Sequence, residues 1–192
     1  PFDFVDGVNT ILSKKGKFIF ELPYWYNLIS MKKFDQIYHE HVSYMTVKSS
    51  FNLLKKNKLE IFKIKQTSYH GGSIRVFSNP SKNINLNNHV KKLIDKEEKL
   101  KLFETETYLN FMKDLKKKKF IFLRKVLSYK LRGYKIIGIG AAAKANTFLN
   151  YIGLDNSIIT YITDSSKYKI GKYTRLTRIP IYSDNIIKTA GN

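Results

Sequence analysis

Apolar residues recur at helical spacing at the start of the chain and then crowd into a short run. Five of them repeat every three or four positions between Phe4 and Leu12, the spacing that places side chains on one face of a helix. Gly16 follows a Lys-Lys pair and is expected to end that helix, and KFIFEL (17–22) then forms a short apolar strand. A helix that feeds a buried strand is half of an α/β crossover unit. The first residues are therefore predicted to be the end of a larger α/β domain.

The middle of the chain begins with a helical pattern and continues with two strand patterns. The stretch VKSSFNLLKKNK (47–58) predicts a short helix, and LEIFKIKQT (59–67) and GSIRVFS (72–78) predict two strands. The glycine pair Gly71 and Gly72, in the connection SYHGG, permits either a tight turn or a backbone that lies close against a ligand.

A highly charged helical pattern separates these strands from the last third of the chain. Residues 87–132 contain no glycine or proline and predict one or two long helices that bridge the two halves. The stretch YKIIGIGAAAKANTFLNYIG (134–153) then predicts a strand, a glycine turn and a helix, and SIITYITDSS (157–166) predicts a second strand. The stretch TRIPIYSDNIIK (177–188) adds a loop, a short strand and a helix. The last third is therefore predicted to be a Rossmann-like βαβ unit.

Composition changes this picture mainly through charge. The 192 residues are 43% hydrophobic and 14% aromatic, which is typical of a globular protein, and they carry a formal net charge of +20. The cations are mostly lysines spread along the whole chain, and the densest run, KDLKKKKF (113–120), lies in a predicted helix where it forms a solvated face. We attribute the charge to compositional bias and expect no nucleic-acid partner. An anionic small molecule would suit this field.

Two classes of segment and one residue type are not found in the sequence. No apolar run approaches the roughly 20 residues that cross a bilayer, and no signal peptide is visible, so no membrane partner is expected. Cysteine is absent, which excludes disulfides, thiolate metal sites and cysteine nucleophiles and fits a cytoplasmic protein.

The glycine turn of the last third is a weak candidate for ligand binding. Gly138 and Gly140 give only G-x-G after a strand, which is little evidence for a dinucleotide. The amides of the following helix could hold an anion together with Lys144, or the small residues could simply pack against the sheet. Asn146 and Asn150 lie four residues apart on the same helical face.

Asp164 ends the second predicted strand of this unit. A Rossmann domain places its ribose-binding acid at that position. An aspartate at a strand end is also an ordinary turn or capping residue, and we favour that interpretation.

The stretch FDQIYHEHVSYMT (34–46) holds two of the four histidines of the chain. Histidine has an unperturbed pKa of about 6.5, which suits proton abstraction near neutral pH. A neighbouring carboxylate can raise its basicity, and a tyrosine can donate to an oxyanion. On an extended backbone His39 and His41 would share one face, which with His70 also permits a three-histidine zinc site. A polar loop without chemistry is the remaining alternative, and base chemistry is favoured over a metal.

Three motifs resemble one family along nearly the whole chain. FDQIYHEHVSYMTVKSSFNLLKKNKLEIFKIKQTSYHGGSIRVF is similar to F-D-x-I-Y-H-E-H-x-S-Y-F-S followed by H-G-G-S-x-R-V, the pattern of the sugar C-methyltransferases that act on nucleotide-linked 4-keto sugars. GIGAAAKANTFLNYIG and ITDSSKYKIGKYTRLTRIPIY resemble the C-terminal domain of the same family. Ala145 stands where the family usually has glycine, and Arg175 and Leu176 replace a usual Pro-Gly.

The resemblance implies methyl transfer from S-adenosylmethionine to a sugar carbon beside a ketone. His41 corresponds to the family's proposed base, with Tyr38 and Glu40 in support. The substrate-binding residues expected under this reading are His70, Gly71, Gly72, Lys144, Asn146 and Asn150, and no metal site is expected.

The fold class implied is α/β in three segments. Residues 1–46 would be the end of a class I methyltransferase domain with the catalytic loop, residues 47–132 an α+β insertion consisting of the strand pair and helical bridge, and residues 133–192 a Rossmann-like C-terminal substrate domain. The loop that binds S-adenosylmethionine is expected to lie mostly outside this chain, which alone would be inactive. A non-catalytic module that binds a nucleotide sugar is the alternative function.

Overall fold

Two three-stranded sheets organise the computed structural model, which describes residues 2–189. The elements in chain order are α1 (Phe2–Ile11), β1 (Phe18–Pro23), α2 (Trp25–Ser30), α3 (Val47–Lys56), β2 (Leu59–Thr67), β3 (Ser73–Pro80), α4 (Asn88–Lys99), α5 (Thr105–Leu131), β4 (Ile136–Ile139), α6 (Ala143–Ile152), β5 (Ile159–Asp164), β6 (Ile181–Ser183) and α7 (Asn185–Thr189). Short 3-10 turns occupy Phe34–Gln36 and Tyr69–Gly71.

The chain divides into two compact units, neither of which is continuous in sequence. The first unit contains residues 2–33 and 41–111, and the second contains residues 34–40 and 112–189. These divisions do not follow the three predicted segments, because β1 shares a sheet with the β2–β3 pair and α5 passes from one unit into the other.

The first unit is built on an antiparallel sheet with the order β1-β3-β2. β2 packs against α3 and α4, and the core includes Leu54, Ile61, Ile74, Val76 and Val90. The predicted strands and the helix at residue 47 are confirmed. The α/β crossover unit predicted for α1 and β1 is not observed within residues 2–189, because β1 pairs antiparallel with β3, Phe18 opposite Ser78. An apolar run shows that a strand is buried but not which strand lies beside it.

Two helical features of the first unit complete its frame. α3 begins with a capping box in which the Thr46 hydroxyl accepts from the Ser49 amide at 3.0 Å and the Ser49 hydroxyl accepts from the Thr46 amide at 2.8 Å. α2 was not predicted from the sequence, since its six residues are too few for a periodic signal.

The second unit confirms the parallel βαβ arrangement predicted for the last third. The strands lie in the order β4-β5-β6, all parallel, and α6 connects β4 to β5. Gly153 ends α6 in the left-handed conformation that favours glycine. Leu149, Ile152, Ile162, Ile179 and Ile181 are buried in its core. Among the described helices, none is both long and apolar enough to cross a bilayer.

Candidate functional site

The histidine stretch is an irregular loop, not a strand. Residues 37–44 carry no helix or strand, and a turn falls at His39 and Glu40. The extended geometry that would place His39 and His41 on one face is therefore not observed. The Tyr38 ring is half-buried and lies edge-on to the His39 ring, with 5.9 Å between centroids.

Glu40 has His39 as its observed ionic neighbour. The Glu40 carboxylate lies 4.0 Å from His39 Nε2, and the two side chains are 61% and 82% exposed. A pair this exposed contributes little to stability. Both side chains therefore lie mostly in solvent.

His41, in contrast, is half-buried and packs against aromatic side chains of the first unit. Its ring lies edge-on to the Tyr44 ring, with centroids 6.1 Å apart and an interplanar angle of 85°. Tyr44 in turn contacts Trp25, with ring centroids 4.6 Å apart. Of the two histidines, His41 is thus the one held in a defined environment.

The loop is followed at once by a well-anchored helix start. Glu97, on α4, is fully buried, and its two carboxylate oxygens accept from the Val47 amide at 2.5 Å and the Lys48 amide at 3.0 Å. Burial raises the pKa of Glu97 despite these hydrogen bonds. The Tyr24 hydroxyl is buried beside this carboxylate and makes no hydrogen bond of good geometry among the described residues. The pKa of Tyr24 is raised, mainly because the hydroxyl is buried and secondly because the Glu97 charge is close.

The glycine pair is explained by contacts inside the first unit. Gly71 and Gly72 have positive φ angles of 81° and 119°, a region that favours glycine. A Cβ at Gly71 would lie 2.6 Å from Lys33 Nζ, and one at Gly72 would lie 2.3 Å from Asn27 Nδ2. His70 is exposed, with a positive φ of 50°. The pair is therefore required by the turn itself, without any ligand.

A cavity of about 1260 Å³ lies in the second unit, at the carboxyl ends of β4 and β5. In open parallel sheets ligands bind in this position. Its walls come from residues 141–143, 145 and 146 at the start of α6 and from the loop after β5. Four cationic side chains line it, Lys169, Lys172, Arg175 and Arg178.

Asp164 organises the walls of this cavity. Its Oδ2 accepts from the Ala141 amide at 2.8 Å and from Lys169 Nζ at 3.2 Å, and its Oδ1 accepts from the Ser166 amide at 2.8 Å. The pKa of Asp164 is lowered, mainly by the hydrogen bond from the Ser166 amide. Lys169 also lowers it, whereas burial acts in the opposite direction. This carboxylate is engaged by the chain itself, as expected of a capping residue.

The two predicted asparagines hold the loop that carries Arg175. Asn146 lines the cavity, and its Oδ1 accepts from the Arg175 amide at 3.2 Å. Asn150 Nδ2 donates to the Asn146 carbonyl at 2.8 Å and to the Arg175 carbonyl at 3.4 Å. Lys144 is half-buried and is not among the residues that line the cavity.

Sequence reasoning missed the four cations of the cavity. A signal was present, because Lys169, Lys172, Arg175 and Arg178 recur at every third position after β5. The glycine turn is structural in part, since a Cβ at Gly138 would lie 2.8 Å from Ile162 Cγ1, whereas Gly140 has a positive φ of 86° beside open space. Across residues 2–189 no three histidine, aspartate or glutamate side chains form a group that could hold a metal ion.

Comparison with known proteins identifies the family. Residues 68–191 match the family model described as the C-methyltransferase C-terminal domain, and the match includes every residue that lines the cavity. The chain is also 29% identical over 180 residues to the C-methyltransferase NovU of Streptomyces niveus, an alignment that covers 93% of this chain and 43% of NovU. The chain thus spans less than half the length of that relative. The family inferred from the sequence motifs is confirmed: this chain belongs to the C-methyltransferases.

Proposed function

We propose that this chain supplies the proton-abstracting base and the nucleotide-binding cavity of an enzyme that methylates a carbon beside a ketone. The substrate class proposed is a nucleotide-linked keto sugar, and the methyl donor is S-adenosylmethionine. The observation that carries the proposal is His41, a half-buried imidazole packed against Tyr44 in a member of the C-methyltransferase family.

The base chemistry follows from the properties of imidazole. A neutral nitrogen of His41 takes the proton from the carbon next to the carbonyl, and the C–H electron pair moves into an enolate. The Tyr38 phenol would donate a hydrogen bond to the enolate oxygen, and Glu40 would favour the protonated imidazole. Because the Glu40 carboxylate lies beside His39, we expect Glu40→Gln to reduce the rate less than loss of His41.

The cavity of the second unit fits an anion. Its four cations can pair with the oxygens of a diphosphate, and the first amides of α6 point their donors toward the same end of the sheet. The cavity does not fit the positively charged sulfonium of S-adenosylmethionine, because Lys169, Lys172 and the two arginines would repel it. We therefore assign the cavity to the nucleotide of the substrate and place the methyl donor elsewhere in the enzyme.

The proposal assigns different roles to four of the predicted substrate-binding residues, His70, Gly71, Gly72 and Lys144. The contacts of Gly71 and Gly72 with Lys33 and Asn27 account for both glycines, so we assign them to the turn that presents His70. We retain His70 as a substrate contact because its ring is exposed. We retain Lys144 as a source of positive potential near the helix start, not as a lining residue.

Exchange of the substrate's α-proton with deuterated solvent tests the base directly, since it requires no methyl donor. In the full-length enzyme with a panel of nucleotide-linked 4-keto sugars, we expect His41→Ala to slow exchange by about 10²- to 10⁴-fold with little change in substrate affinity. His39→Ala is the matched control, because His39 is exposed in the same loop.

Two results would contradict the proposal in different ways. Wild-type exchange by the His41→Ala variant would show that another residue is the base. Binding of a nucleotide sugar by the wild-type enzyme without any exchange or methylation would favour the non-catalytic binding module.

A further inference from the structure

A stack of three aromatic side chains stands behind His41 in the first unit. Tyr44 contacts His41 on one side and Trp25 on the other, at centroid distances of 6.1 and 4.6 Å. Trp25 also stacks on Tyr108, with centroids 6.4 Å apart and an interplanar angle of 21°. This series connects the loop of the histidine to α2 and to the first turn of α5.

Hydrogen bonds fix the far end of the stack. The Trp25 indole Nε1–H donates to the Tyr108 hydroxyl at 3.0 Å, and that hydroxyl donates to the Leu102 carbonyl at 2.6 Å. The Trp25 backbone amide donates to the Met45 carbonyl at 3.1 Å. Trp25 therefore holds both the ring of Tyr44 and the backbone of the residue after it.

The backbone around His41 has no regular secondary structure. Residues 41–44 belong to no helix or strand, so no repeating backbone hydrogen bonds fix their course. Val42 is 91% exposed and Ser43 is exposed, whereas His41 and Tyr44 are half-buried. Within residues 41–44, the partly buried side chains are thus the two whose rings contact each other.

We propose that Tyr44 is a positioning residue for His41, and that Trp25 and Tyr108 hold Tyr44 in place. The inference rests on the proposed role of His41 as the base. A general base must lie within hydrogen-bond reach of the proton it takes, and a displacement of about 1 Å can reduce a rate by about 10²-fold. Loss of the Tyr44 ring should therefore reduce proton abstraction without removing any group that reacts.

The test measures α-proton exchange and substrate KM in the full-length enzyme carrying Tyr44→Leu or Tyr44→Phe. Tyr44→Leu is expected to slow exchange by about 10- to 100-fold with an unchanged KM, the loss typical of a misplaced group. Tyr44→Phe keeps the ring and is expected to keep most of the exchange rate. Tyr108→Phe, which removes the acceptor of the indole N–H, should fall between them.

A second readout follows the geometry without catalysis. In the 192-residue chain, Tyr44→Leu should shift the carbon-bound imidazole proton resonances of His41 in a nuclear magnetic resonance spectrum, because the adjacent ring current is lost, while His89 on α4 stays unchanged. Trp25 is the single tryptophan of this chain, so its indole N–H resonance reports separately whether Tyr108→Phe breaks the hydrogen bond.

The outcomes separate this inference from the proposed function. If His41→Ala abolishes exchange but Tyr44→Leu exchanges at the wild-type rate, the positioning role is wrong and His41 remains the base. If His41→Ala itself has no effect on exchange, the proposed base is wrong. An unshifted His41 resonance in Tyr44→Leu would also overturn the positioning role.

Discussion

The histidine loop, residues 37–44, and the cation-lined cavity of the second unit differ in how the fold assembles their residues. The loop residues are neighbours in sequence, lie on irregular backbone, and are oriented by aromatic packing. The cavity residues come from α6 and from the loop after β5, and Asp164 joins the two walls through Ala141 and Lys169. Residues that are adjacent in sequence thus form a partly exposed loop, whereas residues from two separate segments together line a cavity.

This difference separates two kinds of evidence. The tetrad from Tyr38 to His41 points to chemistry through residue types, and of its two histidines His41 is the half-buried one. The cavity points to a ligand through shape and charge, although the sequence drew attention to Lys144 instead.

The largest effect on ligand binding is expected at the cavity. Replacing both Lys172 and Arg178 by glutamine should weaken binding of a nucleoside diphosphate by about 10- to 100-fold, because charge-assisted hydrogen bonds to the anion are lost. Calorimetric titration with dTDP, UDP, GDP and CDP measures the change and identifies the preferred base.

A control variant removes the same charge elsewhere in the second unit. Lys135 and Lys167 are exposed and do not line the cavity, so their double replacement by glutamine should leave binding almost unchanged. Equal losses in the two double variants would show that a general positive field, and not the cavity, attracts the nucleotide.

The next effect concerns the helix that follows the histidine loop. Glu97→Gln replaces one acceptor by a donor facing a backbone amide of α3, and should lower the free energy of unfolding by about 1–3 kcal/mol. Urea unfolding measures this change. Glu98→Gln is the control, because Glu98 is exposed and its carboxylate pairs with Lys48 at 2.7 Å on the surface, and we expect its effect to stay within about 0.5 kcal/mol.

The difference in stability between wild type and Glu97→Gln should also depend on pH. Burial raises the pKa of Glu97 above its usual value of 4.5, so the folded protein binds this proton more tightly than the unfolded chain. Its stabilising contribution is complete below the unfolded pKa and is lost as the pH rises through the folded pKa. The difference in stability between wild type and Glu97→Gln should therefore narrow with rising pH, and a difference that widens would contradict the raised pKa.

The smallest effect is expected in the loop that carries Arg175. Leu176 has a positive φ of 66° and is 81% exposed, so its side chain gains little from burial. Leu176→Gly should raise the free energy of unfolding by up to about 1 kcal/mol by relieving that backbone strain. Tyr168→Gly, at an exposed position of the same unit, should instead be destabilising, and a loss of stability in both variants would argue against strain at Leu176.

Local patterns predicted the elements, and contacts between distant residues decided what the sequence left open. The βαβ unit and the two long helices follow from hydrophobic period and helix breakers, signals that extend over many residues. The partner of β1 lies about sixty residues further along the chain, and Glu97 caps a helix that starts fifty residues before it. Neither pairing leaves a periodic trace. Asn146 was predicted, but the four cations that line the cavity with it were missed, because the two walls meet only once the sheet has formed.

The 3-10 turn at Phe34–Gln36 has a consequence for how the chain is assembled. Phe34 belongs to the second unit, where its ring lies 4.6 Å from the Tyr151 ring and 6.1 Å from the Phe148 ring. During synthesis, Phe34 leaves the ribosome more than one hundred residues before either partner, a delay of about 6–23 seconds at about 5–20 residues per second. Phe34 therefore lacks its packing partners until α6 has been synthesised, and chaperone contact or early misfolding would be concentrated at residues 34–40.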